Sequence, residues 1–488
     1  MVVDFDWLAD ELWMRSSLDH RGDGSGFASW GMALDGGQHL TAGLPWLAPA
    51  VSRHWIGHRA CLFSEHPGSR HRTSLVSSRL RKQLDLETWW FDVLRSAVLS
   101  SHPESTYLVV VSDTAPARAV RRASQLFNRP LMHFRVDSGA PLQSPDCLVR
   151  WLRDAARELL QALPTSEVDQ HSNIQVLVSP EIGQPNGNPD ATKGDQVFDL
   201  PSEDRLLFAA ADRVQVLSLR PAGQILRLID AHLRDSERVA VPVLIASDES
   251  CQLPGAVSSL ASGWTPWLFE GDTAPAREVD REGSESSSSG AFESSLETEP
   301  DDWLLHWTRA APGPWPGESE DDYLDHLILR TGGADHSALA TLCRILCDGV
   351  LRASATGIRG GFGVVAFTAV PLSEFRKRRI FRGHRTRFDF EPWGIGVRKS
   401  ALLQQGARPV IYGDEAIWQS LPEEQRPWFQ KITLEESRST ITEQEWRIQG
   451  DLIMKDLRKE DLCVFVDSAA DAHRVRQLGD WSVGITPD

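Results

Sequence analysis

Two polar segments in the first half of the chain carry residues that could bind phosphate. The segment Arg70–Arg79 (RHRTSLVSSR) contains guanidinium and hydroxyl groups, which donate hydrogen bonds to phosphate oxygens. The segment Ser112–Pro116 (SDTAP) stands between an apolar run and a helical pattern, where the free N–H groups of a helix start attract anions. The candidate ligand-binding residues of these segments are Arg72, Ser77, Arg79, Ser112 and Thr114.

Each of these segments also has a plainer interpretation. Residues 70–79 could form a polar surface loop that leads into the following helix. Residues 112–116 could be the start of a capped helix, with Ser or Thr as N-cap and Pro in the first turn. Neither a GxGxxG nor a GxxxxGK[ST] sequence occurs, so a classical dinucleotide or P-loop site is not expected.

A third segment is strongly basic. Residues 376–387 (RKRRIFRGHRTR) contain no acid, and an aromatic residue lies among their seven permanent positive charges, a composition that can bind nucleic acid. The alternatives are a solvated helical face and an internal partner for the acidic part of the chain. The candidate nucleic-acid-binding residues are Arg376, Lys377, Arg378, Arg379, Arg382, Arg385 and Arg387.

The elements that must position the first two segments alternate between strands and helices. Strand patterns occur at residues 106–112, 131–136, 173–179, 213–219 and 239–246, and helical patterns at 115–127, 147–163 and 225–234. This alternation predicts βαβ units and a mainly parallel sheet, a Rossmann-like layout. In this layout the N-terminal region resembles the SLOG-type nucleotide-sensing Rossmannoid domains of bacterial conflict systems, although their glycine-rich signature is not evident. The resemblance implies a nucleotide ligand.

Composition limits the class of protein further. The 488 residues are enough for two or three domains, and 41% hydrophobic and 24% charged residues are ordinary values for a globular protein. No stretch approaches the roughly 20 apolar residues of a membrane span, and the N-terminus is acidic where a secretory signal is basic. We therefore expect a cytoplasmic protein and no membrane partner. The cysteines and histidines match no zinc spacing, so no metal site is predicted.

A polar stretch divides the chain. Residues 272–302 hold ten acids against two arginines and include the run GSESSSSGAFESSLETEP, which is too polar to bury enough surface to fold. We predict a flexible acidic linker here, between an N-terminal domain over residues 1–271 and a C-terminal domain over residues 303–488. Much of the net charge of −17 lies in this linker.

The C-terminal region has a different pattern from the first. A helix is predicted at residues 337–351, and short strands at 364–368, 393–398, 409–412, 446–449 and 462–466. Few helices and many short strands predict an α+β domain with a mainly antiparallel sheet. The predicted fold class of the whole chain is therefore α/β plus α+β.

Four short motifs follow one another in this region. They are His306-Trp307-Thr308-Arg309, residues 367–372 (FTAVPL), residues 393–397 (WGIGV) and residues 443–447 (EQEWR). In this order they resemble ADP-ribosyltransferase-like proteins of toxin and phage-defence systems, including DarT-type DNA ADP-ribosyltransferases and related abortive-infection proteins. The resemblance covers roughly residues 303–466, about a third of the chain.

The resemblance implies NAD as cofactor. His306 would hydrogen-bond a hydroxyl of the nicotinamide ribose, with Thr308 and Arg309 supporting the dinucleotide. The family places an aromatic residue on the nicotinamide. No tyrosine stands clearly at that position here, so either Phe367 or Tyr412 must serve.

The resemblance also implies a catalytic glutamate. Glu445 would act on the ribose 2′-hydroxyl and stabilise the oxocarbenium-like centre that forms as nicotinamide leaves, since a fixed anion stabilises developing positive charge. Glu443 could instead be the catalytic acid or orient the nucleophile. The plainer interpretation is that His306 is a satisfied strand histidine and Glu445 a surface partner of Arg447.

Together these features predict a bacterial defence or toxin-like effector that uses NAD in an ADP-ribosyl transfer or NAD-cleaving reaction and is gated by its N-terminal domain. The acceptor would be nucleic acid or protein. One alternative is a non-catalytic nucleotide- or nucleic-acid-binding protein that keeps the fold without chemistry. Another is a nucleotide-processing N-terminal enzyme with an accessory C-terminal domain.

Overall fold

The fold consists of two units of discontinuous sequence. A computed structural model describes residues 10, 30–33, 39–43, 55–81, 84–162, 173–182, 199–238, 240–247, 257, 260–268, 302–374, 379, 381–382, 387–388, 390–431 and 444–486. The first unit comprises residues 1–277 and 316–334, and the second comprises residues 278–315 and 335–488. No helix of the described ranges is long and apolar enough to cross a membrane.

The first unit is built on a ten-stranded sheet. Its strand order is β1-β2-β3-β7-β6-β5-β4-β8-β9-β10, and the seven strands from β7 to β10 in that order are all parallel. The strands are β1 (Trp30–Ala33), β2 (His39–Gly43), β3 (Cys61–Phe63), β4 (His71–Ser77), β5 (Thr106–Val111), β6 (Leu131–Val136), β7 (Asn173–Val178), β8 (Arg213–Ser218), β9 (Val243–Ser247) and β10 (Trp264–Leu268).

Helices cover both faces of this sheet. They are α1 (Thr88–Ser100), α2 (Ala117–Leu126), α3 (Pro145–Ala162), α4 (Ser202–Ala209), α5 (Gln224–Arg234) and α6 (Glu320–Leu329). Alternate strand residues pack on opposite sides, as a pleated strand requires. Val109 and Phe134 share a core with α4 and α5, whereas Leu108 and Val110 share one with α1, α2 and α6.

Helix α6 joins the first unit although its sequence follows the predicted linker. Its apolar residues Tyr323, Leu324, Leu327 and Ile328 are buried in the core formed with α1 and α2. The first unit therefore takes residues 316–334 from the region that the sequence assigned to a C-terminal domain. Apart from Asp302, the predicted linker over 272–302 lies outside the described residues.

The second unit is built on a seven-stranded sheet of order β17-β20-β13-β11-β16-β22-β23, in which every pair except β22–β23 is antiparallel. Its strands are β11 (Trp303–Trp307), β13 (Val364–Thr368), β16 (Gly394–Arg398), β17 (Arg408–Pro409), β20 (Glu445–Gln449), β22 (Leu462–Val466) and β23 (Val483–Ile485).

Among the described residues, short pairs of strands and four helices complete the second unit. The pairs are β12 (Val350–Leu351) with β21 (Leu452–Ile453), β14 (Phe381–Arg382) with β15 (Arg387–Phe388), and β18 (Ile411–Gly413) with β19 (Phe429–Lys431). The helices are α7 (Ala338–Asp348), α8 (Lys399–Gln404), α9 (Glu415–Ser420) and α10 (Ala469–Arg476). Their main core packs against the sheet face that carries Leu304, Val365 and Ile395.

The parallel-rich first sheet and the mainly antiparallel second sheet confirm the coarse fold class. Two alternatives that the sequence left open are excluded. Residues 71–77 form the central strand β4, not a surface loop, because the neighbouring strands and α4 satisfy its polar groups; Ser74 Oγ donates to the Leu207 carbonyl at 2.6 Å. The basic segment contains the hairpin of β14 and β15 where a helical face was the alternative.

Candidate functional site

The order of the parallel strands reverses at one place in the first sheet. From β4 the chain proceeds through β5, β6 and β7 on one side, and then returns to β8 on the other side. In open parallel sheets, ligands bind in the crevice beyond the carboxyl ends of the two strands at such a reversal. The candidate site is therefore the edge at which β4 ends in Ser77 and β8 ends in Ser218.

Serine side chains hold the two strand ends together. Ser77 Oγ lies 3.1 Å from Ser218 Oγ, donates to the Ser78 carbonyl and accepts from the indole N–H of Trp90 at 2.9 Å. Ser78 Oγ accepts from the backbone N–H of Arg220 at 2.9 Å. Ser77 and Ser78 are both buried, so these hydroxyls build the edge and leave little hydrogen-bonding capacity for a ligand.

Two arginines follow the strand ends and are exposed. Arg79 comes two residues after β4 and Arg220 two residues after β8. Neither guanidinium has a hydrogen bond or an ion pair within the ranges that the structure describes. Arg79 lies near the half-buried Asp204 in the first turn of α4; burial raises the pKa of this carboxyl, Glu203 adds to the rise and Arg79 opposes it.

Four helices begin at this edge without a side-chain cap. No N-cap side chain accepts a hydrogen bond from the first N–H groups of α1, α2, α4 or α5. By contrast, Ser319, Ser337 and Ser468 cap α6, α7 and α10. The first N–H groups of a helix need an acceptor, and an anion can supply it. The edge thus combines exposed arginines with uncapped helix starts.

Arg72 and Thr114, like Ser77, are used by the fold. Arg72 lies near the amino end of β4, at the opposite edge, where its guanidinium donates to both Asp212 oxygens at 2.9 and 2.6 Å. Thr114 is buried and its hydroxyl donates to the Val111 carbonyl at 2.7 Å. Arg72 therefore lies away from the site, and the Thr114 hydroxyl stabilises the turn after β5.

Ser112 forms a hydrogen-bonded series with two residues that the sequence did not single out. Its Oγ lies 2.8 Å from His133 Nε2, and His133 Nδ1 lies 3.0 Å from Gln175 Oε1. These residues come from the neighbouring strands β6 and β7. The available signal was the polar residue inside each apolar strand, His133 in LMHFRV and Gln175 in NIQVLV.

In the second unit, the structure brings His306 and Phe367 together. Their ring centroids are 5.7 Å apart, and His306 Nδ1 donates to the Ala366 carbonyl at 2.9 Å. Burial lowers the pKa of His306. The hydrogen bond to Ala366 raises this pKa, and the charge of Arg309 lowers it further. His306 is therefore neutral at pH 7, with its Nε2 lone pair available as an acceptor.

The structure does not bring Glu445 to His306. Leu305, Thr368 and Glu445 are paired across β11, β13 and β20, so they share one face of the sheet. His306 is one residue further along and points to the other face with Phe367 and Trp446. The expectation that His306 and Glu445 act together on one nicotinamide ribose therefore does not fit the register of the sheet.

Glu445 instead pairs with a buried arginine. Arg447 Nε donates to Glu445 Oε1 at 2.7 Å, and the same guanidinium donates to the Phe429 carbonyl at 2.9 Å and to Gln430 Oε1 at 2.6 Å. Arg447 is 1% exposed. The carboxylate of Glu445 thus supplies the only negative charge among the hydrogen-bond acceptors of Arg447 that the structure describes.

The remaining predicted residues are dispersed. Thr308 is buried, and its hydroxyl donates to the Ala338 and Trp393 carbonyls at 3.0 Å. Arg309 is exposed. Tyr412 lies on β18 of a separate two-stranded sheet. Arg379 is exposed and pairs with Glu391 at 3.3 Å, and Arg382 and Arg387 occupy paired positions of a hairpin. Glu443, Arg376, Lys377, Arg378 and Arg385 lie outside the described residues.

Comparisons with known proteins give no family for this chain. No family model matches it, and neither a curated protein nor a solved structure is similar to it. In the described ranges, no group of three His, Cys, Asp or Glu side chains is arranged to hold a metal ion.

Proposed function

We propose that the first unit binds a nucleotide at the carboxyl edge of its parallel sheet. The observation that carries the proposal is the reversal of strand order between β4 and β8, which sets Arg79 and Arg220 at one edge. Exposed guanidinium groups and uncapped helix starts are the groups that bind phosphate oxygens in proteins.

The acidic residue at this edge supports a nucleotide over free phosphate. Asp204 is half-buried near Arg79, in the first turn of α4. A carboxylate repels phosphate but accepts hydrogen bonds from ribose hydroxyls, as the acidic residue of dinucleotide-binding folds does. A ligand with both a phosphate and a ribose fits this combination of charges.

Calorimetric titration of the full chain with ATP, ADP and inorganic phosphate tests the proposal. We expect a nucleotide to bind, and the double substitution Arg79→Ala/Arg220→Ala to weaken it about tenfold or more, because a hydrogen bond to a charged group contributes about 1.5–3 kcal/mol.

Arg213→Ala is the matched control. Arg213 is an exposed arginine of the same sheet but lies at the amino end of β8. Its substitution should leave nucleotide affinity unchanged. If none of the three ligands binds, or if the control weakens binding as much as the double variant, the proposal fails.

A second proposal concerns NAD in the second unit. It is supported by the neutral His306 beside Phe367, together with the resemblance of the surrounding motifs to ADP-ribosyltransferase-like proteins. The position of Glu445 argues against the catalytic role expected for that residue. Release of nicotinamide from NAD by the full chain tests this proposal: His306→Ala should abolish the release, and absence of release from the unsubstituted protein contradicts it.

A further inference from the structure

Three polar side chains lie among buried apolar residues on one face of the first sheet. Ser112, His133 and Gln175 follow or belong to β5, β6 and β7, and on the same face lie the buried residues Leu108, Val110, Leu131 and Leu177. Polar groups in such surroundings cost free energy unless they are fully hydrogen-bonded. Here Ser112 bonds to His133, and His133 bonds to Gln175, so the three side chains form one hydrogen-bonded series.

The hydrogen bonds of this series run in a defined direction. Gln175 Oε1 is an acceptor, so His133 Nδ1 carries the proton and donates to it at 3.0 Å. The lone pair of His133 is then on Nε2, 2.8 Å from Ser112 Oγ, and accepts the hydroxyl proton of Ser112. This is the arrangement of a nucleophile, its general base and the group that fixes the tautomer of that base.

Ser112 is placed where a nucleophile can meet a substrate. It is half-buried at the carboxyl end of β5, in the sharp turn that leads into α2. The next residue, Asp113, has a φ of 66°, a left-handed conformation that is unusual outside glycine. The backbone N–H groups of Asp113 and Ala115 have no hydrogen-bond partner among the described residues. Free donors next to a nucleophile can stabilise an oxyanion.

We propose that Ser112 is a nucleophile for acyl transfer from carboxylic esters, with His133 as its general base and Gln175 as a positioning residue. Ser112 Oγ forms a bond to the carbonyl carbon while its proton passes to His133 Nε2. The bond from carbon to the leaving oxygen then breaks, and that oxygen takes the proton from His133. Water hydrolyses the acyl-serine by the same route, and no redox partner is required.

Gln175 limits the class of ester. An amide oxygen fixes the tautomer of His133 but, unlike a carboxylate, does not stabilise the imidazolium that forms in the transition state. The site is therefore suited to esters with a good leaving group, such as an aryl ester. The proposal is independent of nucleotide binding, which involves Arg79 and Arg220 at other strand ends.

The full chain can be tested with a fluorophosphonate and with p-nitrophenyl acetate. The fluorophosphonate should form a bond from its phosphorus to Ser112 Oγ with loss of fluoride, and mass spectrometry of the digested protein identifies the labelled serine. We expect Ser112→Ala to abolish both labelling and ester hydrolysis, and His133→Ala to slow labelling about a hundredfold. Ser100→Ala is the control, because the Ser100 hydroxyl donates to a backbone carbonyl one turn earlier in α1 and has no histidine partner in the described chain.

The role of Gln175 is tested by comparing two substitutions. Gln175→Leu removes the acceptor and should slow labelling at least tenfold, whereas Gln175→Glu should restore or exceed the rate of the unsubstituted protein by stabilising the imidazolium. A structural role alone would make both variants behave alike. If Ser112 remains unlabelled in the folded, unsubstituted protein, or if another serine carries the label, the three residues are only an internal polar network and the proposal is overturned.

Discussion

Glu445 and Arg447 form a 2.7 Å ion pair on one face of the second sheet, and His306 projects from the other face. This relationship gives Glu445 a structural role. Arg447 is buried, and its remaining described acceptors are two backbone carbonyls and one amide oxygen. A buried cation without a compensating anion is unfavourable, so Glu445 stabilises the fold around β19 and β20.

We expect Glu445→Gln to lower the free energy of unfolding by about 2 kcal/mol, because it keeps a hydrogen-bond acceptor but removes the charge that Arg447 requires. Urea denaturation measures the change. Glu424→Gln, at an exposed glutamate of the same unit, is the control and should have no effect. A catalytic role without a structural one would leave the unfolding midpoint of Glu445→Gln unchanged.

Gly394→Ala should destabilise the second unit by about 3 kcal/mol, since overpacking of a filled core is costly. A methyl group at Gly394 would overlap the His306 carbonyl of the paired strand and the Phe465 ring. Thermal unfolding of the variant measures the loss. Gly332→Ala has open space around the added methyl and should be nearly neutral; equal effects of the two substitutions would contradict the prediction.

The stability of the first unit should fall as pH falls from about 6.5 to about 4. Burial, and then the neighbouring Arg238, lower the pKa of His232 to about 4. His232 Nε2–H donates to the Val241 carbonyl, and His232 Nδ1 accepts from Arg238. A proton added to Nδ1 would break the bond to Arg238 and place a second positive charge beside that guanidinium. The unfolded state therefore binds the proton more readily, and stability is lost on acidification.

Hydrogen–deuterium exchange of β8 and β9 at several pH values measures this loss. The amides of these strands should exchange faster as pH falls, after correction for the intrinsic rate. His232→Gln removes the titrating group and should flatten this pH dependence. His71→Gln, at an exposed histidine of the same unit, should retain it. An unchanged slope in His232→Gln would assign the effect to other groups.

The ion pair between Arg122 of α2 and Asp325 of α6 should stabilise the packing of α6 in the first unit. The Arg122 guanidinium donates to both oxygens of Asp325 at 2.5 and 2.6 Å, and both side chains are about three-quarters buried. A double-mutant cycle with Arg122→Ala and Asp325→Ala, followed by urea denaturation, should give a coupling energy of about 1–2 kcal/mol. The control pair Arg118–Glu320 is half-exposed and should give less than about 0.5 kcal/mol.

The basic segment remains a predicted nucleic-acid contact. If it binds duplex DNA, the logarithm of the association constant should fall linearly with the logarithm of salt concentration, and Arg382→Ala/Arg387→Ala should reduce that slope by roughly two. Fluorescence anisotropy with labelled DNA measures both. Arg213→Ala, in the other unit, should leave the slope unchanged, and binding that does not depend on salt contradicts the prediction.

The sequence predicted the buried strands well, because runs such as TYLVVV have few alternatives in a covered parallel sheet. It failed at β4, where Thr73, Ser74 and Ser77 give a polar pattern although all three are buried. The hydroxyls of Ser74 and Ser77 bond to distant parts of the chain, Ser74 to the Leu207 carbonyl and Ser77 to the indole N–H of Trp90. The local sequence pattern cannot predict these hydrogen bonds, because the partners are distant in sequence.

The candidate sites depended even more on long-range pairing. Ser112 and Arg79 could be proposed from residue type and position after an apolar run. His133 and Gln175 could not be joined to Ser112 without the alignment of β5, β6 and β7. Likewise, whether His306 and Glu445 share a face depends on the register across β13, and a shift of one residue would reverse the answer.

The position of α6 determines how the protein can be divided for expression. A polypeptide that starts at residue 303 would carry Tyr323, Leu324, Leu327 and Ile328 into solvent without the helices that cover them, and such an apolar patch promotes aggregation. A polypeptide that stops before residue 303 would expose the matching surface of α1 and α2. Production of the separate halves therefore requires residues 316–334 to be deleted from one and supplied to the other.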